Sequence, residues 1–165
     1  MKFEYKGNLG GLAPLRRLVR FAAGATTTVE PGDACLLAGG VFAPITSDTS
    51  MTAGIVIAEK RITASHLAGY YSALIPQPGD IFKATLAAAS NPSRGDNVFV
   101  TALAQTLATA GTNAFGDVLD HGGYPLEQGN ADTGDVADRG TTITNVTVVL
   151  ITIKAANSYY AVLQT

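Results

Sequence analysis

The chain carries little charge. Asp, Glu, Lys and Arg together make up 15% of its 165 residues, against roughly a quarter in an ordinary globular domain. So sparse a charged surface implies that a partner covers part of it. The net charge of −2 excludes the strongly basic character of a general nucleic-acid binder. Tryptophan is absent, and the six Tyr and six Phe stand in apolar stretches rather than among Lys and Arg. The aromatic and basic stripe that grips single-stranded nucleic acid is therefore missing. The single cysteine, Cys35, excludes an internal disulfide. It lies in an apolar run and is expected to pack as a small core residue. No apolar run approaches the roughly 18 residues of a membrane span. The opening Met1-Lys2-Phe3-Glu4-Tyr5-Lys6 lacks the apolar stretch of a secretory signal. The expectation is a soluble chain made in a cytoplasm, with no membrane partner.

Catalytic and metal motifs are also missing. Cys35, His66 and His121 are the only thiol and imidazoles, and nothing in their spacing brings a base to the sulfur, as a thiol nucleophile requires. His121, in Asp120-His121-Gly122-Gly123, reads as a surface loop histidine. Asp132, Asp135 and Asp138 recur every third residue, whereas a calcium loop sets its oxygen ligands at alternate positions and closes with a bidentate Glu. A solvated acidic loop is the better reading there. Arg94-Gly95-Asp96 spells an adhesion tripeptide but reads as turn chemistry. Asn145-Val146-Thr147 fits a glycosylation sequon inside the most strand-like run of the chain. No P-loop, dinucleotide fingerprint, zinc spacing or zincin motif occurs. The chain is expected not to be an enzyme and to need no metal or cofactor.

What is present is turn and strand chemistry. With 18 Gly and 7 Pro in 165 residues, the chain favours many short strands over a helical bundle. Thr26 to Pro44 reads strand, turn, strand, turn, strand. Pro31 presets the second position of a type II turn, Gly32 supplies the positive φ of the third, and Asp33 can bond the turn's backbone. Pro78, Gly79 and Asp80 repeat that chemistry, and Gly95 and Asp96 do so again. Gly54 to Ala58 reads as a buried strand. Residues 62–75 fit either a short helix around Ile62, His66 and Leu67 or an extended segment from Tyr70 to Ile75. Residues 87–93 read as a linker, and residues 116–140 as an acidic loop carrying Asp117, Asp120 and Glu127. Ile143 to Ile153 places apolar groups on both faces of a strand, which suits the middle of a sheet. Tyr159 to Leu163 reads as a last strand.

A fainter pattern lies above these elements. Residues 29–58 and 93–120 both run turn, apolar strand, short turn, strand, loop, Gly-led strand, with Gly54-Ile55-Val56 set beside Gly116-Asp117-Val118. A duplicated β-unit accounts for this, and so does repeated use of Gly-Asp as turn chemistry. Residues 1–24 form a basic arm, with Lys2, Lys6, Arg16, Arg17 and Arg20 against the one acid Glu4. The arm is either a flexible terminus or a segment that lies on another subunit. Residues 25–165 make the β-rich domain. The fold class expected is all-β, a small barrel or sandwich of short strands with an extended N-terminal arm.

The first third of the chain resembles a known family. Leu18-Val19-Arg20-Phe21, Ala23-Gly24, Val29, Pro31-Gly32-Asp33, Gly39-Gly40, Phe42-Ala43-Pro44 and Gly54-Ile55-Val56 follow in the order and spacing of tailed-phage capsid decoration, or cement, proteins. The resemblance covers residues 18–58. It implies a β-tulip-like domain on the outer surface of a phage head, bound where major capsid proteins meet, often as a homotrimer, and bracing the shell without catalysis. This chain is longer than the smaller members, and residues 62–140 would hold an inserted or duplicated unit. The resemblance makes the major capsid protein and other copies of the chain the expected partners, and the virion the expected location. The basic residues Lys2, Lys6, Arg16, Arg17 and Arg20 would make the contact, so removing residues 1–20 would spare the fold and weaken attachment. The alternative is a phage tail or host-surface module that binds glycans through residues 116–140.

Overall fold

A computed structural model of the protein describes residues 3–24, 29–46, 48, 54–90, 92–101, 105–121 and 146–165. Their strands are β1 (Phe3–Asn8), β2 (Leu15–Arg20), β3 (Ala34–Ala38), β4 (Val41–Pro44), β5 (Ile55–Arg61), β6 (Tyr70–Ile75), β7 (Asp80–Ser90), β8 (Asn97–Val100), β9 (Leu107–Ala108), β10 (Gly116–His121) and β11 (Val146–Ile153), followed by a short helix, α1 (Tyr159–Leu163). Two sheets result. One has the order β2-β6-β5-β3-β4, and the other β1-β7-β11-β10-β8-β9. Both curl until their ends meet. In the first, Phe21 at the end of β2 bridges Phe42 of β4 in parallel. In the second, Leu86 of β7 pairs in parallel with Leu107 of β9, closing a ring of five strands and leaving β1 on the remaining edge of β7. The all-β barrel expected from the turn-rich composition is what the chain forms.

The two barrels repeat one topology, strand for strand. β2 through β6 match β7 through β11 in order, direction and closure. Register follows too. Ala34 faces Ile57 and Cys35 faces Val56 in the first barrel, as Asn97 faces Asp117 and Val98 faces Gly116 in the second. A register shift falls between Ala58 and Lys60 of β5 and between Val118 and Asp120 of β10, at the same place in each barrel. Gly32 N–H donates to Ala58 O and Ala58 N–H to Asp33 O, as Gly95 N–H donates to Val118 O and Val118 N–H to Asp96 O. Residues 29–58 and 93–120 thus span β3–β5 and β8–β10, and the two triplets pair alike. The glycine correspondence is corrected by two residues: Gly116 occupies the place of Val56, not of Gly54.

Matching positions fill the two interiors. Val19, Phe21, Cys35, Phe42, Val56, Ala58, Tyr71, Ala73 and Ile75 form the core of the first barrel. Ala84, Leu86, Val98, Leu107, Val118, Val149, Ile151 and Ile153 line the second. The outward face of the first barrel does not end in water. Ala34, Ile55, Ile57 and Leu74 join the second barrel's core together with Phe3, Phe82 and Phe115, and the Phe3 and Phe115 rings lie 5.1 Å apart. Gln105 adds a polar tie. Its side chain accepts from Ala34 N–H and donates to Ala34 O at 2.8 Å and Ile45 O at 3.3 Å.

The three Asp turns form as their sequence dictates. Gly32, Gly79 and Gly95 take φ of 90°, 85° and 86°, open to glycine at no steric cost. In each turn the Asp carboxylate accepts the N–H three residues back: Glu30 to Asp33 at 2.9 Å, Gln77 to Asp80 at 2.8 Å and Ser93 to Asp96 at 2.7 Å. The Asp N–H donates in return to the carbonyl of that same residue. Each turn thereby launches a strand: β3, β7 and β8.

Four expectations are corrected. Residues 1–24 are not a separate arm, because β1 pairs along β7, β2 pairs along β6, and Phe3 is 1% exposed. Deleting residues 1–20 would remove two strands and a core ring. Residues 87–90 extend β7 rather than form a linker. Residues 116–121 are strand β10 rather than loop, with Asp120 buried, and the rest of the acidic stretch lies outside the described residues. Tyr159–Leu163 is a helix rather than a strand. Ser158 caps it, its hydroxyl accepting from Tyr160 N–H and donating to Pro76 O, while Tyr159, Tyr160 and Leu163 pack on the first barrel's core. The alternative readings of 62–75 both hold in part: a single 3-10 turn at Ser65–Leu67 precedes β6.

Candidate functional site

The basic residues expected to meet a partner fall on two strands. Lys2 lies outside the described residues. Lys6 is exposed on β1 and donates to Glu4 at 2.5 Å, and this contact holds the Glu4 carboxyl below its ordinary pKa. Arg16, Arg17 and Arg20 stand exposed on β2. Arg16 Nε donates to Glu59 of β5 at 2.7 Å, which raises the pKa of the guanidinium. Tyr5 of β1 lies close enough to feel the charge of Arg16, while burial first and the nearby Asp80 charge second push the phenol's pKa up. The structure thus gathers Arg16, Arg17 and Arg20 on one six-residue strand and sets Lys6 on another. Lys60 of β5, which was not singled out in the sequence, adds to the face of Leu18, since both pair with Ser72 of β6 from opposite sides, while Arg61 pairs with Tyr71 on the other face.

Charge is not the only feature of this face. Among the described residues, the large hydrophobic side chains left in solvent are Leu9, Leu12 and Leu18, at 60%, 54% and 52% exposure. All three belong to one stretch of ten residues that runs from the end of β1 through β2. The connecting loop is firmly built. Asn8 Oδ1 accepts the N–H groups of Gly10 and Leu12, Asn8 Nδ2 donates to Asp80 Oδ1 at 2.8 Å, and Gln77 Nε2 holds Ala13 O at 2.8 Å. Composition concealed this feature, because leucine in an apolar-rich chain reads as core. Beside the far end of β2, an open groove of about 450 Å³ is lined by Arg20, Phe21, Ala22, Val41 and Gly69.

The other candidates resolve into structure. Arg94 Nε donates to Leu119 O at 2.9 Å and the Asp96 carboxylate caps its own turn, so the adhesion-like tripeptide is a stapled turn. Cys35 is fully buried and donates its Sγ–H to Asp33 O. His66 is exposed on its 3-10 turn, and Asp117 pairs with Lys154 at 2.8 Å. Among the described residues, no group of three or more His, Cys, Asp or Glu is placed to hold a metal ion, and no helix is long and apolar enough to cross a membrane. Asp132, Asp135, Asp138 and Asn145 lie outside the described residues. No family model, no curated protein and no solved structure matches the chain.

Proposed function

We propose that this protein is a structural decoration, or cement, protein of a tailed-phage capsid. In this reading it is not an enzyme and binds the outer surface of the head between major capsid subunits. The observation that carries the reading is the exposed strand β2, where Arg16, Arg17 and Arg20 flank an exposed Leu18, at the start of the segment, residues 18–58, whose motifs resemble that family. Exposed cations fix orientation, since surface pairs contribute roughly 0–1 kcal/mol each. The exposed leucines supply apolar area worth about 25 cal/mol per Å² once covered. Self-association, with a trimer favoured, and repeated sites on a shell would multiply a weak single contact. The test is sedimentation of the purified protein with shells stripped of accessory proteins, across a salt series. Stoichiometric co-sedimentation that weakens with salt and with charge reversal at Arg16, Arg17 and Arg20 is the expected result. A discrete free oligomer with no shell binding would overturn it.

A further inference from the structure

The two barrels repeat each other in register, so a difference between them is informative. In the second barrel the edge of β7 over Asp80–Ala84 is covered: β1 pairs antiparallel along it, Glu4 facing Lys83 and Phe3 facing Ala84. The matching edge in the first barrel is that of β2 over Leu15–Val19. The match is fixed by the common partner strands, since β6 pairs with β2 as β11 pairs with β7. Among the described residues no strand lies along that edge.

The direction of the backbone groups is also fixed. Phe21 N–H donates to Gly69 O at 2.9 Å, on the β6 side, while Ala22 N–H donates to Phe42 O at 2.9 Å, on the opposite side. Amides alternate along a strand pair. Arg16 and Leu18 therefore turn their N–H and C=O groups to the edge that Ala22 uses, ahead of the Phe21–Phe42 bridge that joins the end of β2 to β4, and no strand is paired with them there among the described residues. The edge over Leu15–Val19 is about 17 Å long. An open edge of this length is a template for another strand, and proteins ordinarily blunt such edges. Here the arginines would repel a second copy of β2, since an antiparallel pairing centred on Leu18 would set Arg16 against Arg20. Leu18 in the middle and Leu9 and Leu12 beside it do not blunt the edge at all.

We propose that the β2 edge is a strand-acceptor site. Its occupant is an extended, acidic segment of a partner protein, added antiparallel to β2 as β1 is added to β7. Main-chain hydrogen bonds to Arg16 and Leu18 supply the affinity, and carboxylates opposite Arg16 and Arg20, which share one face of β2, select the segment. Leu9 and Leu12, held out by the loop built on Asn8, cover an apolar residue where the segment leaves the edge. The inference rests on reading this face as protein-binding and does not depend on the partner's being a capsid.

The test uses the full chain and a synthetic peptide of alternating Glu and Val, blocked at both ends, followed by amide hydrogen exchange in NMR. Pairing slows exchange at Arg16 and Leu18 at least tenfold and leaves Arg17 and Val19, already bonded to β6, unchanged. The same peptide N-methylated on the edge that meets β2 keeps its charge but loses its donors, and it binds at least tenfold more weakly. Equal binding of the two peptides, binding without protection of those two amides, or no binding would each overturn the site. So would tight binding of a single-stranded RNA at the same amides with the peptide excluded. Leu18→Pro removes the central edge donor without touching a bond to β6. If it folds, it loses the peptide, and if it does not, the N-methylated peptide still decides. Shell attachment by a chain that does not pair with the peptide would sink the edge and spare the cement role. Peptide pairing by a chain that ignores shells would do the reverse.

Discussion

Asp33, Asp80 and Asp96 accept the same hydrogen bond in three matching turns, yet Asp33 and Asp80 are 2% and 1% exposed while Asp96 stands in solvent. Water can replace the carboxylate only where it can reach the orphaned N–H. Asp33→Ala and Asp80→Ala are therefore expected to cost about 1–3 kcal/mol each, and Asp96→Ala less than about 1 kcal/mol, in urea denaturation. An equal cost at all three would mean that burial does not set the worth of the turn. Tyr5 gives a second prediction at this scale. Its phenol pKa is raised, by burial first and by Asp80 next, so the folded state favours the neutral ring. That contribution is complete below the ordinary tyrosine pKa of about 10 and is lost as pH rises through the folded value. Melting temperatures measured from pH 8 to 11, a range set around that pKa, should fall more steeply for the wild type than for Tyr5→Phe. Parallel curves would show that Tyr5 does not carry the slope.

At the scale of the element, two short segments show what local sequence decides. Turns and the strands that follow them were legible, because Pro31-Gly32-Asp33 and its relatives bring their own φ values and their own acceptor. Tyr159–Leu163 was not, since five apolar or aromatic residues carry no period that separates strand from helix. What decides is Ser158, whose hydroxyl both caps Tyr160 N–H at 3.1 Å and reaches Pro76 O. The first bond could be read from a Ser before an apolar run, but the second needs the fold. Ser158→Ala is expected to lower stability by about 1–2 kcal/mol. Ser158→Gly should lose the Pro76 bond while keeping a tolerable cap, and so recover only part of that. Full recovery by Gly would assign the whole effect to capping. β2 was misread for a related reason. Its three arginines look like a solvated arm, and only the pairing of Arg17 with Ala73 and Val19 with Tyr71 shows them mounted on a barrel wall. The candidate site was thus legible in its charges and hidden in its geometry.

At the scale of the whole molecule, the repeat was half visible. Gly-Asp recurs at matching turns, but the strands between share almost no residues: Cys35 matches Val98, Val56 matches Gly116 and Phe42 matches Leu107. Register survives where identity does not, because each position need only be apolar and of a size its neighbours accommodate. A chain of two similar barrels invites the expectation of two independent folding units. The packing argues otherwise. The first barrel's outward residues Ile55, Ile57 and Leu74 share one core with Phe3, Phe82 and Phe115, so opening the second barrel would expose them. Gln105 sits with φ 55° at 7% exposure, a conformation that costs a non-glycine residue about 1–2 kcal/mol and is held by its bonds to Ala34 and Ile45. The chain is therefore expected to unfold in a single transition, with calorimetric and van't Hoff enthalpies equal. Gln105→Ala strands the buried Ala34 N–H and should lower stability by about 1–3 kcal/mol, shifting that one transition down without dividing it. Gln105→Gly relieves the backbone conformation while losing the same bonds, so it should fall between the two. Two resolved transitions in the wild type would show that the barrels fold apart and that the shared core is only a contact. Division appearing only in Gln105→Ala would instead make this one side chain the coupling between them.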